Sequence, residues 1–186
     1  MRSLTVLPLA FLLLAAGCAP KPATPEYGSV PDFTLTERNN RKVSRQDLAG
    51  KVWVADFIFT HCAGVCPVMS SNMRKLQDRL PAEIHLVSFS VDPGNDTPEV
   101  LTEYANRYGA DRDRWLFLTG DPEVLQKLSI NGFKLALDTT NGTEAEPITH
   151  SSRYALVDKE GRIRGYYGTE EPDALDRLVE DAKKLL

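Results

Sequence analysis

The stretch Val52-Trp53-Val54-Ala55-Asp56-Phe57-Ile58-Phe59-Thr60-His61-Cys62-Ala63-Gly64-Val65-Cys66-Pro67 joins three signals without a break. Val52 to Phe59 is a nearly continuous apolar run of β-branched and aromatic residues, the pattern of a strand buried on both faces. Two cysteines with three residues between them follow at once. Cys66-Pro67 then opens a helix to about Leu80, because a proline in the first turn lacks only a donor that the helix would leave unpaired. Met69, Met73, Leu76 and Leu80 recur at helical spacing as its inward stripe, which makes the two methionines core residues rather than metal ligands.

Outward from this unit, strand and helix alternate. Ile84–Val91 reads as a second buried strand, and Thr97-Pro98-Glu99 caps a helix through about Tyr108. Trp115–Leu118 is a further strand, and Asp121-Pro122-Glu123 starts a capped helix ending near Gly132. Tyr154–Val157 and Ile163–Tyr167 form a hairpin turned at Gly161, and Pro172 starts a last helix. Upstream, Phe33-Thr34-Leu35 and the segment around Val43 suggest an amino-terminal β-hairpin. Trp53 and Trp115 read as core or rim aromatics. The expectation is an α/β fold with a central mixed sheet flanked by helices. The alternation alone also suits a flavodoxin-like order. A strand running straight into cysteines at a helix amino terminus selects the thioredoxin-like one.

Met1–Gly17 has one positive charge, Arg2, an apolar run from Leu4 to Ala16 and small residues before Cys18. This is the layout of a signal peptide, and the run falls short of the ~20 residues that span a bilayer. Leu14-Ala15-Ala16-Gly17-Cys18 looks like a bacterial lipobox, so Cys18 is expected to be lipidated. Residues 18–30, with Pro20, Pro22 and Pro25, then form a tether, and 31–186 form one domain. The expected location is a bacterial membrane, facing the periplasm or the cell exterior. The chain of 186 residues carries a net charge of −4, which argues against nucleic acid as a partner. Its three cysteines are too few for a disulfide scaffold. Once Cys18 is assigned to the lipid, Cys62 and Cys66 remain as a pair.

Three intervening residues, one of them Gly64, let both sulfurs share one helix end. The helix dipole and the free amides there favour thiolates. Such a pair can close a disulfide or present two sulfurs to a metal. A metal needs a third donor, and three histidines are candidates. His85 alternates with Ile84 and Leu86 in a strand and reads as a structural or surface residue. His61 adjoins Cys62, but neighbours in an extended segment point to opposite sides. His150 ends the polar segment 138–149, which could carry its imidazole to the cysteines.

The segments Val54–Pro67, Ser90-Val91-Asp92-Pro93 with Asp96-Thr97-Pro98, and Thr149-His150-Ser151 resemble, in this order, the Sco family, also called SenC/PrrC. The likeness runs from about Gly28 to the carboxyl end. It implies a thioredoxin-like, membrane-tethered protein that helps build the binuclear copper A centre of cytochrome c oxidase. It also implies that Cys62, Cys66 and His150 are the copper ligands; Asp92 is a candidate for orienting one of them, against ordinary turn chemistry in Asp92-Pro93-Gly94-Asn95. Two thiolates suit Cu(I) and an added imidazole suits Cu(II), although the set is also acceptable to zinc.

Two functions follow. One is a metallochaperone that delivers copper to the oxidase copper-site subunit. The other is a thiol-disulfide oxidoreductase that reduces the cysteines of that site. A thioredoxin-like reductant or another copper chaperone is a possible further partner, and a redox or copper sensor is a third class. Thr60 is suggestively placed for peroxidase chemistry, but the proline-containing nucleophile motif is missing.

Overall fold

The computed structural model describes residues 25–62, 64–138 and 148–186. Its framework is a seven-stranded sheet in the order β2-β1-β5-β4-β3-β8-β9, formed by β1 (Thr34–Glu37), β2 (Lys42–Ser44), β3 (Trp53–Ile58), β4 (His85–Ser90), β5 (Trp115–Thr119), β8 (Arg153–Val157) and β9 (Ile163–Gly168). The three inner strands β3, β4 and β5 run parallel. The amino-terminal hairpin β1–β2 joins β5 antiparallel, and the β8–β9 hairpin joins β3 antiparallel. The sheet is therefore mixed, as expected.

Every residue of β3 is buried, which explains why its sequence shows no alternation. The helices are α1 (Val65–Arg79), α2 (Pro98–Arg107), α3 (Pro122–Lys127) and α4 (Ala174–Lys183). Met69, Met73 and Leu76 on α1 are fully buried and Leu80 nearly so; Trp53 and Trp115 lie in the same core. The Thr97 hydroxyl caps α2 by accepting the Val100 N–H, and the Asp121 carboxylate caps α3 by accepting two. A π-helical turn, Leu128–Gly132, prolongs α3 to the expected end. The last helix begins two residues later than its proline suggests. Gly161 takes φ +78° at the β8–β9 turn, a conformation that favours glycine.

The Arg114 guanidinium holds the far end of α1 in place by donating to the carbonyls of Gln77, Leu80, Pro81 and Ile84 at 2.8–2.9 Å. Gln77 and Leu80 lie at the helix end, where the last carbonyls have no partner within the helix.

Two features go beyond the sequence reading. Residues 27–30, the carboxyl end of the expected tether, lie along β9 through bonds between Tyr27 N–H and Ile163 O, Ile163 N–H and Gly28 O, and Val30 N–H and Gly161 O. Val30 is buried there, and the exposed edge of the sheet is covered. Second, a separate two-stranded ladder pairs β6 (Leu137–Asp138) with β7 (Thr149–His150), placing Leu137 opposite His150. What reads in sequence as one polar loop is held by strand pairing at both ends.

Candidate metal centre

β3 ends at Ile58, and the chain turns through Phe59, Thr60 and His61 to bring Cys62 to the amino terminus of α1. Cys66 sits in the first turn of that helix and is fully buried, whereas Cys62 is half-buried. The Cys66 N–H donates to the Cys62 sulfur at 3.4 Å. Cys62 thus receives a helix-start amide that Gly64, the capping residue, has no side chain to accept.

The third group comes from β7. His150 Nε2 lies 2.9 Å from the Cys66 sulfur, 84 residues away in sequence. The two sulfurs and one imidazole nitrogen all lie within 4.8 Å of one another. Among the described residues this is the one cluster of three or more His, Cys, Asp or Glu side chains suited to a metal ion. Two soft sulfurs and an imidazole fit a copper ion by donor type.

The His150 tautomer follows from its partners. Nδ1 lies 3.1 Å from the Ser151 carbonyl, which can only accept, so Nδ1 carries the proton. In the neutral ring this leaves Nε2 with its lone pair toward Cys66, placed to accept the S–H. This is the tautomer a metal ligand requires, oriented by a carbonyl at its other nitrogen. The Ser151 N–H in turn donates to Ala136 O, extending the β6–β7 pairing. The Phe59 ring packs edge-on with the imidazole, centroids 5.7 Å apart and planes at 81°.

The thiolate expected at a helix start is not what burial allows for Cys66. Desolvation pushes its thiol well above the ordinary range, against a hydrogen bond from the Phe59 main chain that favours the anion. Without metal, Cys66 is a buried thiol hydrogen-bonded to His150.

The other histidines lie apart. His61 is exposed, its Nδ1 3.2 Å from the Thr60 hydroxyl. His85 begins β4, opposite Trp53 at the far end of β3 from the cysteines. Burial, with Lys51 and Arg114 nearby, lowers its pKa.

Asp92 bonds within its own turn. Its carboxylate accepts the Asn95 amide at 2.8 Å, and its carbonyl accepts the N–H groups of Asn95 and Asp96. The carboxylate that reaches the cysteine loop is Asp96, which is fully buried. It accepts the Thr60 N–H at 3.2 Å, the Thr60 hydroxyl at 2.6 Å and the Ser90 hydroxyl at 2.7 Å. The start of the cysteine loop is thereby fixed to the end of β4 and the approach to α2. Thr60 is part of this support. The sequence signal for Asp96 is its place just before the Thr97 cap, but burial cannot be read from that.

Asp56, within β3, is the second buried carboxylate. It accepts the Ser88 hydroxyl at 2.6 Å, and Ser88 accepts the Trp115 indole N–H at 3.0 Å. Desolvation raises its pKa to about 7, and once ionised its charge adds to the upward pressure on Cys66.

The SCO1/SenC family model matches residues 22–186. A SCO1/SenC family lipoprotein from Bacillus anthracis superposes with a TM-score of 0.76 at 34% identity, covering 85% of this chain and 95% of that one. BsSco, a member of the Sco family of cytochrome c oxidase assembly proteins in which a disulfide switch was identified, gives 0.77 at 32%, covering 89% and 98%. Arabidopsis thaliana ScoI, solved with copper bound, gives 0.70 at 25%, covering 83% and 95%.

Proposed function

The chain belongs to the SCO1/SenC family, and from that premise we propose that it is a copper metallochaperone, taking up copper on Cys62, Cys66 and His150 and delivering it to the copper-site subunit of cytochrome c oxidase. The observation that carries this reading is the imidazole: His150 Nε2 lies 2.9 Å from the Cys66 sulfur. Thiol-disulfide exchange needs two sulfurs and no nitrogen donor. Copper is the cargo, and the same three residues offer donors to either of its oxidation states, two sulfurs for Cu(I) and the added nitrogen for Cu(II). His150 reaches the sulfurs from a two-residue strand outside the main sheet. Its withdrawal would leave two sulfurs as the protein donors and open the cargo to the thiolates of an acceptor.

Outside the described residues, Cys18 serves in this reading as the lipid anchor to a bacterial membrane. The residues after it are the tether that holds the domain in the periplasm or at the cell exterior. No helix among the described residues is long and apolar enough to cross a membrane.

A second reading, reduction of the oxidase copper-site cysteines, is favoured by the asymmetry of the pair. Cys62 is half-buried and Cys66 fully buried, which suits the more accessible thiol to attack and the buried one to resolve. A thioredoxin-like reductant would then regenerate the pair.

His150→Ala separates the two readings. A chaperone loses copper transfer to a dithiol acceptor peptide and keeps whatever disulfide-reducing capacity the parent has. If the variant transfers copper as well as the parent does, delivery through this site is wrong.

A further inference from the structure

Phe59 touches all three proposed ligands. It is the first residue after β3 and is 1% exposed. Its carbonyl accepts the Cys62 N–H at 3.4 Å, and its main chain hydrogen-bonds the Cys66 sulfur. Its ring meets the His150 imidazole in a T-shaped contact, with centroids 5.7 Å apart. One residue thus ties the cysteine loop to a histidine delivered from a distant segment.

The ring contact differs from the hydrogen bonds of the imidazole to Cys66 and Ser151 in its behaviour on ligation. The Nε2 bond to Cys66 is the one that a metal ion replaces. The Nδ1 bond goes to Ser151, the adjacent residue, and travels with β7. The aromatic contact is a tie between the imidazole and the body of the main sheet that ligation leaves intact. Edge-to-face pairs are directional, since the positive edge of one ring seeks the negative face of the other. A side chain of similar bulk without that quadrupole fills the space but does not orient the imidazole.

We propose that Phe59 is a positioning residue that sets the His150 imidazole against the two sulfurs, and that its aromatic ring is required for this. The proposal rests on the copper reading for its consequence, but its core is a property of the metal-free protein. A side chain that holds the imidazole acts on the nitrogen donor alone. Its removal therefore weakens Cu(II) binding, to which the imidazole contributes most, and spares Cu(I), for which two sulfurs suffice.

The test compares Phe59→Leu and Phe59→Met, which keep apolar bulk, with Phe59→Tyr, which keeps the ring, all in the reduced full-length chain. In metal-free protein, carbon-13 relaxation of the His150 Cε1–H group reports the order of the ring. It should fall in the Leu and Met variants and remain near the parent value in the Tyr variant. Unchanged order in both aliphatic variants overturns the proposal whether or not the chain binds copper.

With copper, Phe59→Leu should lower Cu(II) affinity about tenfold and leave Cu(I) affinity unchanged. In a His150→Ala background the same substitution should add nothing. An equal loss in both backgrounds would show that Phe59 acts through the cysteine loop instead, and would overturn the assignment. A parent chain that binds no copper would count against the chaperone reading, with the relaxation result still deciding the role of Phe59.

Discussion

Replacing Asp56 with asparagine should remove a pH dependence of stability whose size follows from the burial of one carboxyl group. Asp56 lies inside the sheet with no exposed surface, and desolvation raises its pKa from 3.8 to about 7, against the opposing Ser88 hydrogen bond. A folded-state pKa above the unfolded one means that the native state holds the proton more tightly. The resulting stabilisation is whole below pH 3.8, declines as the unfolded chain ionises, and is gone above about pH 7. A shift of roughly three units corresponds to about 4 kcal/mol, of which about 3 kcal/mol falls between pH 5 and 8.

Asparagine mimics the protonated carboxyl group in shape and charge, and its oxygen can still accept the Ser88 hydroxyl. The assay is urea denaturation of parent and Asp56→Asn chains, both reduced and metal-free, at unit steps from pH 5 to 8. The parent should lose about 3 kcal/mol relative to the variant over that range. Asp96, also raised by burial, acts in the same direction, and His85, lowered by burial, acts in the opposite one. Both are present in the two chains and cancel in the difference. A stability difference that stays constant from pH 5 to 8 would refute the claim that Asp56 is held protonated by its surroundings.

The remaining predictions concern the cysteine loop and its proton. Asp96→Ala strands three donors, the Thr60 N–H and the hydroxyls of Thr60 and Ser90. It should cost about 3 kcal/mol in denaturant titration, with a larger loss than Asp92→Ala, whose carboxylate is bonded within its turn. Because burial keeps Cys66 protonated, copper uptake should release protons. Apparent affinity should therefore rise from pH 6 to 8, by up to about tenfold per unit for each proton displaced, as read by a competing chelator; a flat profile would argue that Cys66 is already a thiolate.

Much of the architecture can be read directly from residue patterns. The unbroken run of Val52–Phe59 marks an inner strand, the stripe of Met69, Met73 and Leu76 marks the buried face of α1, and the caps at Thr97 and Asp121 mark two helix starts. The Cys62/Cys66 spacing and the ordered motifs also carry the family resemblance, which the SCO1/SenC match bears out. The β6–β7 ladder is not legible, because two-residue strands have no period to detect and the residues between them read as a polar loop. The buried carboxylates escaped for another reason. Asp56 interrupts an apolar run and Asp96 stands in a turn motif, and neither pattern reveals which hydroxyls arrive from other strands to satisfy them. At Cys66 local geometry points the other way from burial: the helix start favours a thiolate, but complete burial outweighs it.

The central claim, that Cys62, Cys66 and His150 together hold copper, is tested most directly by X-ray absorption at the copper edge on the reduced chain loaded with one equivalent of Cu(II), beside His150→Ala. Two sulfur scatterers and a histidine nitrogen are expected in the parent, with the loss of that nitrogen and retention of both sulfurs in the variant. An identical nitrogen contribution in the two proteins, or a parent that retains no copper, would contradict it.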